Sequence, residues 1–319
     1  MMRANHQSSA RSVLLLDDDP AYGYLHILKS KAPRLRVVTV SNSTPDTRWD
    51  CDIWLGAPDK ASELMHGGEK PAWLQLTWAG FAPLLKPSLP QNYLLTRAVD
   101  VFGQPMLEYV LAHLLAHAKA SNTYLENQSR FIWSPAHCGT LLGLRVMLVG
   151  AGNIGLYIAK RLKCLGMEVV GVQRSPSAHE DLLATYDLAS FKDYLDQVDV
   201  VINILPDTPD TRNIFDLDTF RRMKPGAMFM NIGRGSAVVD TDLVKVLEQQ
   251  HLSAAVLDVF RQEPLPPSHQ FWVAPNITIT PHIAGPIDPE LMVEAFLRNF
   301  EKFVMSQSLA GEVDLARGY

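Results

Sequence analysis

The chain has 319 residues, of which 47% are hydrophobic and 20% are charged, and its formal net charge is -5. This length is enough for two globular domains rather than one. Because lysines and arginines are scattered among acidic residues, the charge pattern argues against a basic face for nucleic acid or anionic membrane. No apolar run is long enough to span a bilayer, and the polar segment 1–12 lacks the apolar core of a signal peptide. We interpret this segment as a frayed tail and expect neither a nucleic-acid nor a membrane partner.

The cysteines are odd in number and widely spaced: Cys51, Cys138 and Cys164. This pattern indicates neither a disulfide framework nor a zinc site, and a reducing cytoplasm fits it best. The acidic run at residues 17–19 has no second acidic cluster to complete a metal site, so we interpret it as a polar strand end and turn. His113 and His117 lie one helical turn apart without a third ligand, which favours packing or surface residues. We therefore expect no metal.

The first third of the chain contains short aliphatic runs separated by helical or loop segments. The runs cover residues 13–16, 37–40, 53–55 and 73–76. They predict buried strands of a small parallel α/β sheet with its connections on the surface. Residues 104–120 then predict an apolar helix that is buried on several faces between two domains.

A second, more regular alternation begins at residue 144. Its elements are a strand at 144–149, the turn GAGNIG at 150–155, a helix at 154–165 and a strand at 168–172. Gly150 allows a tight turn, Gly152 lets the backbone approach a pyrophosphate, and Gly155 lets the helix pack close to the strand. The helix N-terminus presents unpaired N–H groups and the positive end of its dipole to the phosphates. This complete βαβ unit predicts dinucleotide binding.

The strand at 168–172 is followed by Gln173, Arg174 and Ser175. A carboxylate at this point would accept hydrogen bonds from the ribose hydroxyls of NAD. The guanidinium of Arg174 and the hydroxyl of Ser175 suit a 2′-phosphate instead, and no carboxylate repels it. We therefore predict NADPH over NADH. In the alternative interpretation Arg174 only covers the adenine face and both cofactors bind.

Further apolar runs predict a doubly wound sheet in this part of the chain. They cover residues 198–205, 227–232, 254–259 and 277–280, with helical stretches such as 241–250 between them. Ligands of such sheets bind beyond the carboxyl ends of the strands. Arg234, Glu263 and His282 each follow a buried run, so a cation, a carboxylate and an imidazole are expected beside the nucleotide site. A reductase of 2-keto acids needs those three groups.

Several short motifs occur along the chain in one order. They are residues 150–155, Leu205-Pro206 with Thr211, residues 231–235, LDVF at 257–260 with EPLP at 263–266, and TPHIA at 280–284. With these motifs nearly the whole chain resembles the D-isomer-specific 2-hydroxyacid dehydrogenases. Within that family it is most similar to bacterial glyoxylate/hydroxypyruvate reductases of the A type. That narrower resemblance depends on EPLPP at 263–267, ITITPH at 277–282 and VDLARGY at 313–319.

The resemblance implies an α/β fold of two domains and a homodimer. A flavodoxin-like substrate domain would comprise residues 1–103 and 286–319, and a doubly wound Rossmann cofactor domain would comprise residues 104–285. Asp288 and Pro289 independently predict the start of a helix to Met305 that returns to the first domain. The crossings near Gly103 and Gly285 are predicted hinges.

The resemblance also implies the catalytic roles. Arg234 would bind the substrate carboxylate and the reacting oxygen, His282 would be the general acid/base, and Glu263 would hold and charge the histidine. The chemistry agrees, because hydride addition at C2 of a 2-keto acid leaves an alkoxide that needs a proton donor. Taken singly, Arg234 could form a salt bridge at a strand end, and Glu263 could be an acidic loop residue before a proline. His282 could be a hydrogen-bonded polar residue at the sheet edge. Their occurrence together in the family's motifs favours the catalytic interpretation.

The family's substrate loop corresponds to residues 77–81, where the N–H groups of Ala79 and Gly80 would receive the carboxylate. Trp78 stands in place of the usual small residue, and Ala82 in place of the usual aspartate. Trp78 either narrows the pocket toward two- or three-carbon acids or packs against the helix between the domains.

The resemblance implies further cofactor contacts. They are Asn153, Ile154, Pro206, Thr211, Ile232, Asp258, His282 and Ala284. Asp258 would meet the nicotinamide carboxamide or make only a structural hydrogen bond.

Three functions follow as hypotheses. The first is NADPH-dependent reduction of glyoxylate, hydroxypyruvate or a similar small 2-keto acid to the D-2-hydroxy acid. The second keeps the fold but oxidises another small anion, such as formate or phosphite. The third is a cofactor-sensing binding protein similar to the carboxyl-terminal-binding corepressors. The sequence offers no basic localisation segment and no disordered tail, which weighs against the third.

Overall fold

The computed structural model describes residues 12–44, 48 and 50–315. The described residues form two compact units, one running up to Val101 and resuming at Ile287, the other comprising Phe102–Pro286. The predicted domain boundaries and the roles of the two domains stay a prediction. Ser12 begins the first strand, so the predicted tail is wrong at that residue. The rest of the tail, residues 1–11, and the last four residues of the ending motif, 316–319, lie outside the described residues.

The described part of the first unit contains a five-stranded sheet in which all pairs are parallel. Its strands are β1 (Ser12–Leu15), β2 (Arg36–Thr39), β3 (Ile53–Gly56), β4 (Trp73–Leu76) and β5 (Leu94–Thr96). The order β2-β1-β3-β4-β5 is that of flavodoxin-like folds. The backbone N–H of Val313 donates to the carbonyl oxygen of Leu95 over 3.0 Å, so the C-terminal segment covers the outer edge of β5.

The described part of this unit includes α-helices. Among them are Tyr24–Lys31, Pro58–His66 and Pro289–Val304. The last begins where the sequence predicts, because the Asp288 side chain accepts hydrogen bonds from the N–H groups of Glu290 and Leu291. Its side chains pack on β4, where the ring of Phe296 stacks on Trp73 with centroids 5.4 Å apart.

The acidic run at 17–19 makes contacts typical of a strand end and turn. The Asp17 carboxylate accepts a hydrogen bond from the Thr77 hydroxyl over 2.7 Å. Asp18 accepts from the N–H of Ser41 over 2.7 Å, and Asp19 accepts from the N–H of Ala21 over 2.9 Å. Each carboxylate therefore fixes a local turn or a neighbouring loop.

The second unit contains a seven-stranded parallel sheet within the described residues. Its strands are β6 (Arg145–Val149), β7 (Glu168–Val172), β8 (Ala184–Tyr186), β9 (Val200–Asn203), β10 (Met228–Asn231), β11 (Ala254–Leu257) and β12 (Ile277–Ile279). The order β8-β7-β6-β9-β10-β11 is the Rossmann order, and β12 adds one strand beside β11. The predicted fold class, α/β with doubly wound parallel sheets, is confirmed.

The second unit also contains α-helices. They are Gly103–Ala118, Ser121–Ser129, Asn153–Cys164, Leu217–Arg222 and Asp240–Glu248. The core on one side centres on the rings of Phe215, Phe220 and Phe229, all of which are fully buried. No helix in the described part of either unit is both long and apolar enough to cross a membrane.

The helix Gly103–Ala118 buries one face, so the prediction that it is buried on several faces is wrong. Its buried residues are Gly103, Met106, Leu107, Val110 and Leu114, at the spacing of one helical stripe. The side chain of Leu115 is 45% exposed. Its two histidines contact neighbours: the His113 ring lies 4.4 Å from the ring of Tyr109, and His117 Nε2 lies 3.3 Å from Ser253 Oγ.

Candidate active site

The glycine turn links β6 to the helix Asn153–Cys164. Gly150 has φ 110°, and a Cβ added there would lie 2.9 Å from the backbone of Ile204, so a side chain is excluded. A Cβ added at Gly155 would lie 2.8 Å from the carbonyl oxygen of Gly150. At Gly152, by contrast, an added Cβ would meet no protein atom within 4 Å. The turn is tightly packed on the protein side and open at Gly152, which fits the approach of a pyrophosphate.

The helix N-terminus faces the same open space. Gly152 is the N-cap and has no side chain to accept a hydrogen bond from the first turn, which contains Asn153 and Ile154. The first N–H groups of a helix lack intrahelical acceptors and attract anions. The turn is joined to the end of β7 by Gln173, whose Nε2 donates to the carbonyl oxygen of Ala151 over 2.7 Å. These groups fit the phosphates of a dinucleotide.

Arg174 and Ser175 are exposed directly after β7. The next acidic residue along the chain is Glu180. This end of the strand therefore presents a cation and a hydroxyl, the arrangement that fits a 2′-phosphate.

The loop after β9 contains Pro206, which is exposed, and Thr211, which is only 3% exposed. The Thr211 hydroxyl donates to the carbonyl oxygen of Pro206 over 2.7 Å and accepts from the N–H of Thr208 over 2.9 Å. Thr211 thus shapes the loop from within, and the surface that faces outward is that of Pro206. Thr208 and Thr211 form a capping box, and their spacing is a local sequence signal for this turn.

Residues 231–235, which we call the arginine loop, begin at the last residue of β10. Asn231 is 1% exposed, and its Oδ1 accepts hydrogen bonds from Asn203 Nδ2 over 2.9 Å and from the N–H of Gly233 over 3.2 Å. Its Nδ2 donates to the carbonyl oxygen of Arg234 over 3.1 Å. Two buried amides at the ends of adjacent strands therefore position the backbone of Arg234. Asn203 was not predicted as a site residue, although both asparagines are polar residues inside predicted apolar runs, 198–205 and 227–232.

The Arg234 guanidinium is buried and interacts electrostatically with two carboxylates. Burial holds the pKa of its guanidinium below the usual value, while the negative charges of Glu263 and Asp207 act in the opposite direction. Asp207 is itself held by Arg212, whose Nε donates to its Oδ1 over 2.9 Å, and by the Ser236 hydroxyl over 2.9 Å. An arginine stays protonated despite such burial, so the site presents a fixed positive charge.

The imidazole of His282 and the carboxylate of Glu263 form a direct hydrogen bond. His282 Nδ1 lies 2.8 Å from Glu263 Oε2, and the two side chains are 48% and 37% exposed. Glu263 Oε1 accepts a hydrogen bond from the N–H of Phe260 over 2.9 Å, which orients the carboxylate. Because a carboxylate only accepts, the proton of this bond is on Nδ1, and Nε2 makes no hydrogen bond within the described residues.

Residues 280–284, which we call the histidine loop, follow β12. His282 has φ 57°, a conformation uncommon outside glycine, and its N–H donates to the carbonyl oxygen of Asp258 over 2.9 Å. The Asp258 carboxylate is 1% exposed and accepts from Thr280 Oγ1, Ile283 N and Ala284 N over 2.7–2.8 Å. These contacts match the interpretation in which Asp258 makes structural hydrogen bonds. The contact of Asp258 with a carboxamide stays a prediction.

Two other predicted cofactor contacts are almost fully buried. Ile232 is 4% exposed and Ala284 is 2% exposed. They offer little surface to a ligand, and their clearest contribution is to the packing beneath the two loops.

The predicted substrate loop follows β4 in the first unit. The N–H of Ala98 donates to the carbonyl oxygen of Trp78 over 3.0 Å. Within the described residues the N–H groups of Ala79 and Gly80 donate to no protein acceptor, which is what an anion site requires. The Trp78 side chain is 46% exposed, and both interpretations of this residue stay open.

Comparison with known proteins places these motifs in a family. The family model for the NAD binding domain of the D-isomer specific 2-hydroxyacid dehydrogenases matches residues 111–284. The chain is similar to the glyoxylate/hydroxypyruvate reductase A of Serratia proteamaculans (strain 568), with 35% identity over 233 residues. That match covers 73% of this chain and 74% of the relative.

The chain is also similar to solved structures of this family. A D-isomer specific 2-hydroxyacid dehydrogenase family protein from Aeromonas salmonicida is 35% identical with a TM-score of 0.88, covering 96% of this chain and 100% of that chain. The NADPH-dependent glyoxylate/hydroxypyruvate reductase of Sinorhizobium meliloti, in complex with NADP and sulfate, is 28% identical with a TM-score of 0.83. There the coverage is 97% of this chain and 100% of that chain. The predicted resemblance is confirmed: the chain belongs to the D-isomer specific 2-hydroxyacid dehydrogenase family.

Proposed function

We propose that the protein uses NADPH to reduce small 2-keto acids, such as glyoxylate and hydroxypyruvate, to D-2-hydroxy acids. The observation that carries this proposal is the 2.8 Å hydrogen bond between His282 and Glu263, at the same sheet edge as Arg234. The names of the Serratia relative and the Sinorhizobium structure support the substrate class, and the bound NADP of the latter supports the cofactor.

Arg234 is the group that binds the substrate. Its guanidinium can form two parallel hydrogen bonds to a carboxylate and also polarise the neighbouring keto oxygen. Since Asn231 positions the backbone and burial restricts the side chain, the charge is presented in one place. The N–H groups of Ala79 and Gly80 stay the predicted second contact for the substrate, and Trp78 the predicted determinant of its size.

His282 is the proton donor. A nicotinamide held at this site would supply the hydride to C2. His282 Nε2 gives the proton to the oxygen of the former keto group. Glu263 stabilises the imidazolium before the transfer and keeps the ring in one orientation through its bond to Nδ1. The side chain is 48% exposed, so the neutral imidazole regains its proton from water.

Arg174 and Ser175 bind the 2′-phosphate in this proposal, and the turn at Gly150, Gly152 and Gly155 receives the pyrophosphate. Of the remaining predicted contacts, Asn153, Ile154 and Pro206 offer surface to the cofactor. The buried residues of this set shape the loops beside it: Thr211, Ile232, Asp258 and Ala284. NADH is the poorer cofactor because no carboxylate after β7 accepts its ribose hydroxyls. NADPH is favoured because its 2′-phosphate is attracted by the positive charge of Arg174.

We further propose that the enzyme acts as a homodimer in the cytoplasm. Large apolar side chains cluster along one stretch of the second unit and are strongly exposed. They are Leu125 (65%), Phe131 (98%), Trp133 (101%) and Leu142 (68%). Exposed apolar stretches of this kind commonly mark protein interfaces. The odd, scattered cysteines support a reducing compartment.

The proposed reaction is tested with a panel of substrates and both reduced cofactors. We expect glyoxylate and hydroxypyruvate to consume NADPH faster than NADH, as followed by the absorbance of the reduced nicotinamide. NADP⁺ with formate or phosphite serves as the comparison reaction. Oxidation of either anion, or NADPH binding without any turnover, would contradict the proposal and support the second or third hypothesis instead.

A further inference from the structure

We infer that Tyr109 and Thr280 are positioning residues for His282: they form a hydrogen-bond chain that fixes the histidine loop to a helix of the same unit. This inference rests on the proposed function, because it concerns how His282 reaches its working orientation. Within the described residues, neither side chain forms a hydrogen bond with the His282 side chain. Both act through the backbone of the loop.

The chain of hydrogen bonds is continuous. Tyr109 Oη, on the helix Gly103–Ala118, lies 2.6 Å from Thr280 Oγ1. Thr280 Oγ1 donates to Asp258 Oδ1 over 2.7 Å. Asp258 Oδ1 and Oδ2 accept the N–H groups of Ile283 and Ala284, each over 2.8 Å. One buried carboxylate therefore fixes both sides of His282, and the threonine and the tyrosine fix that carboxylate.

The direction of the protons in this chain follows from the acceptor at its end. An ionised carboxylate can only accept, so the Thr280 hydroxyl must donate to Asp258. The Thr280 oxygen is then free to accept from Tyr109. Burial raises the pKa of Tyr109 to about 12, so the phenol keeps the proton that it donates. The geometry and the charge state therefore agree.

The same helix also contacts the far end of the loop. A Cβ added at Gly285 would lie 3.2 Å from Met106 Cγ, so the loop passes close to this helix directly after Ala284. Met106 and Tyr109 are three residues apart and share a helical face. The helix thus contacts the histidine loop at both ends, by a hydrogen bond before His282 and by packing after it.

Fixing this loop matters because His282 adopts φ 57°. A left-handed conformation at a non-glycine residue persists only where the surroundings enforce it. If the loop relaxes, the imidazole moves relative to the substrate oxygen, and a displacement of about 1 Å can reduce a rate by about 10²-fold. Loss of the chain should therefore lower kcat more than it lowers binding.

The experiment compares Thr280→Val, which removes the hydroxyl at similar volume, with Thr280→Ser, which retains it. Thr219→Val is the matched control, because Thr219 is a fully buried threonine of the same unit that also donates to an aspartate, Asp216, over 2.7 Å. Each variant is assayed for kcat and KM with glyoxylate, for NADPH binding by fluorescence, and for hydrogen exchange of the 280–285 amides.

We expect Thr280→Val to lower kcat roughly tenfold, with unchanged NADPH binding and faster exchange of the loop amides. Thr280→Ser should keep kcat and the exchange rate of the loop amides near those of the wild type, and Thr219→Val should change neither quantity. Tyr109→Phe should lower kcat by less than Thr280→Val does. Equal effects of Thr280→Val and Thr219→Val, or no rescue by serine, would overturn the inference. If the wild type reduced no keto acid, the proposed function would fail, whereas the exchange comparison would still decide whether the chain fixes the loop.

Discussion

The arginine loop and the histidine loop both follow strands of one sheet, yet they are positioned by different kinds of contact. Asn231 stabilises the arginine loop through groups two and three residues away along the chain. The histidine loop depends on Asp258, 22 residues before Thr280, and on Tyr109, 171 residues before it. The arginine loop is therefore a local turn that one further contact, from the Asn203 amide 28 residues earlier, ties to the neighbouring strand. The histidine loop also depends on a side chain of a distant helix.

This difference suits the two tasks. Binding a carboxylate requires a fixed charge, which a locally stabilised turn provides. Proton transfer requires a donor atom at hydrogen-bond distance from a developing alkoxide, and small displacements affect it strongly. Substitutions in the two loops should therefore affect different kinetic constants.

The largest effect is expected for His282→Ala. Without a positioned general acid, kcat for keto-acid reduction should fall by about 10²–10⁴-fold. NADPH binding, measured by fluorescence titration, should stay near that of the wild type. Retained turnover in this variant would exclude His282 as the proton donor.

Arg234→Lys should have the next largest effect, and mainly on the substrate. Lysine keeps the charge but loses the planar pair of donors that matches a carboxylate. We expect kcat/KM for glyoxylate to fall by roughly 10²-fold, with most of the loss in KM. If the loss were instead confined to kcat, as for His282→Ala, the contrast between the two loops would be wrong.

Asn231→Ala tests the local contacts of the arginine loop. It removes the partner of the Asn203 amide and the acceptor of the Gly233 N–H. Because buried polar groups then lack partners, the free energy of unfolding should fall by about 1–3 kcal/mol. Urea denaturation measures this change, and Asn231→Asp serves as the isosteric comparison. A variant as stable as the wild type would show that the loop does not need this amide.

The smallest effect is expected outside both loops, at Arg174. Arg174→Gln should raise KM for NADPH by about tenfold and leave KM for NADH nearly unchanged, since only the 2′-phosphate loses a charged partner. Steady-state kinetics with the two cofactors provide the comparison. Equal changes for both cofactors would support the interpretation in which Arg174 only covers the adenine face.

The parts of the structure that the sequence predicts well have strong local signals. The run Arg145–Val149, the glycine turn and the strand Glu168–Val172 combine an apolar run, fixed glycine spacing and a second apolar run. The start of the helix Pro289–Val304 was also predictable, because Asp288 and Pro289 are a local capping signal. Such features depend on neighbours within a few residues.

The parts that were missed depend on contacts distant in sequence. Ala184–Tyr186 and Leu94–Thr96 are strands of three residues with too little periodicity to recognise. The helix Gly103–Ala118 was misjudged because its composition is apolar on several faces while the fold buries only one. Nothing in the spacing of Tyr109, Thr280 and Asp258 indicates that their side chains meet.

The most direct test of the central proposal is the identity of the product that the wild-type protein forms from hydroxypyruvate and NADPH. Chiral analysis would be combined with the amount of NADPH consumed. We predict D-glycerate, in amounts equal to the NADPH oxidised. Formation of L-glycerate, or no NADPH oxidation with any small 2-keto acid, would contradict the proposal.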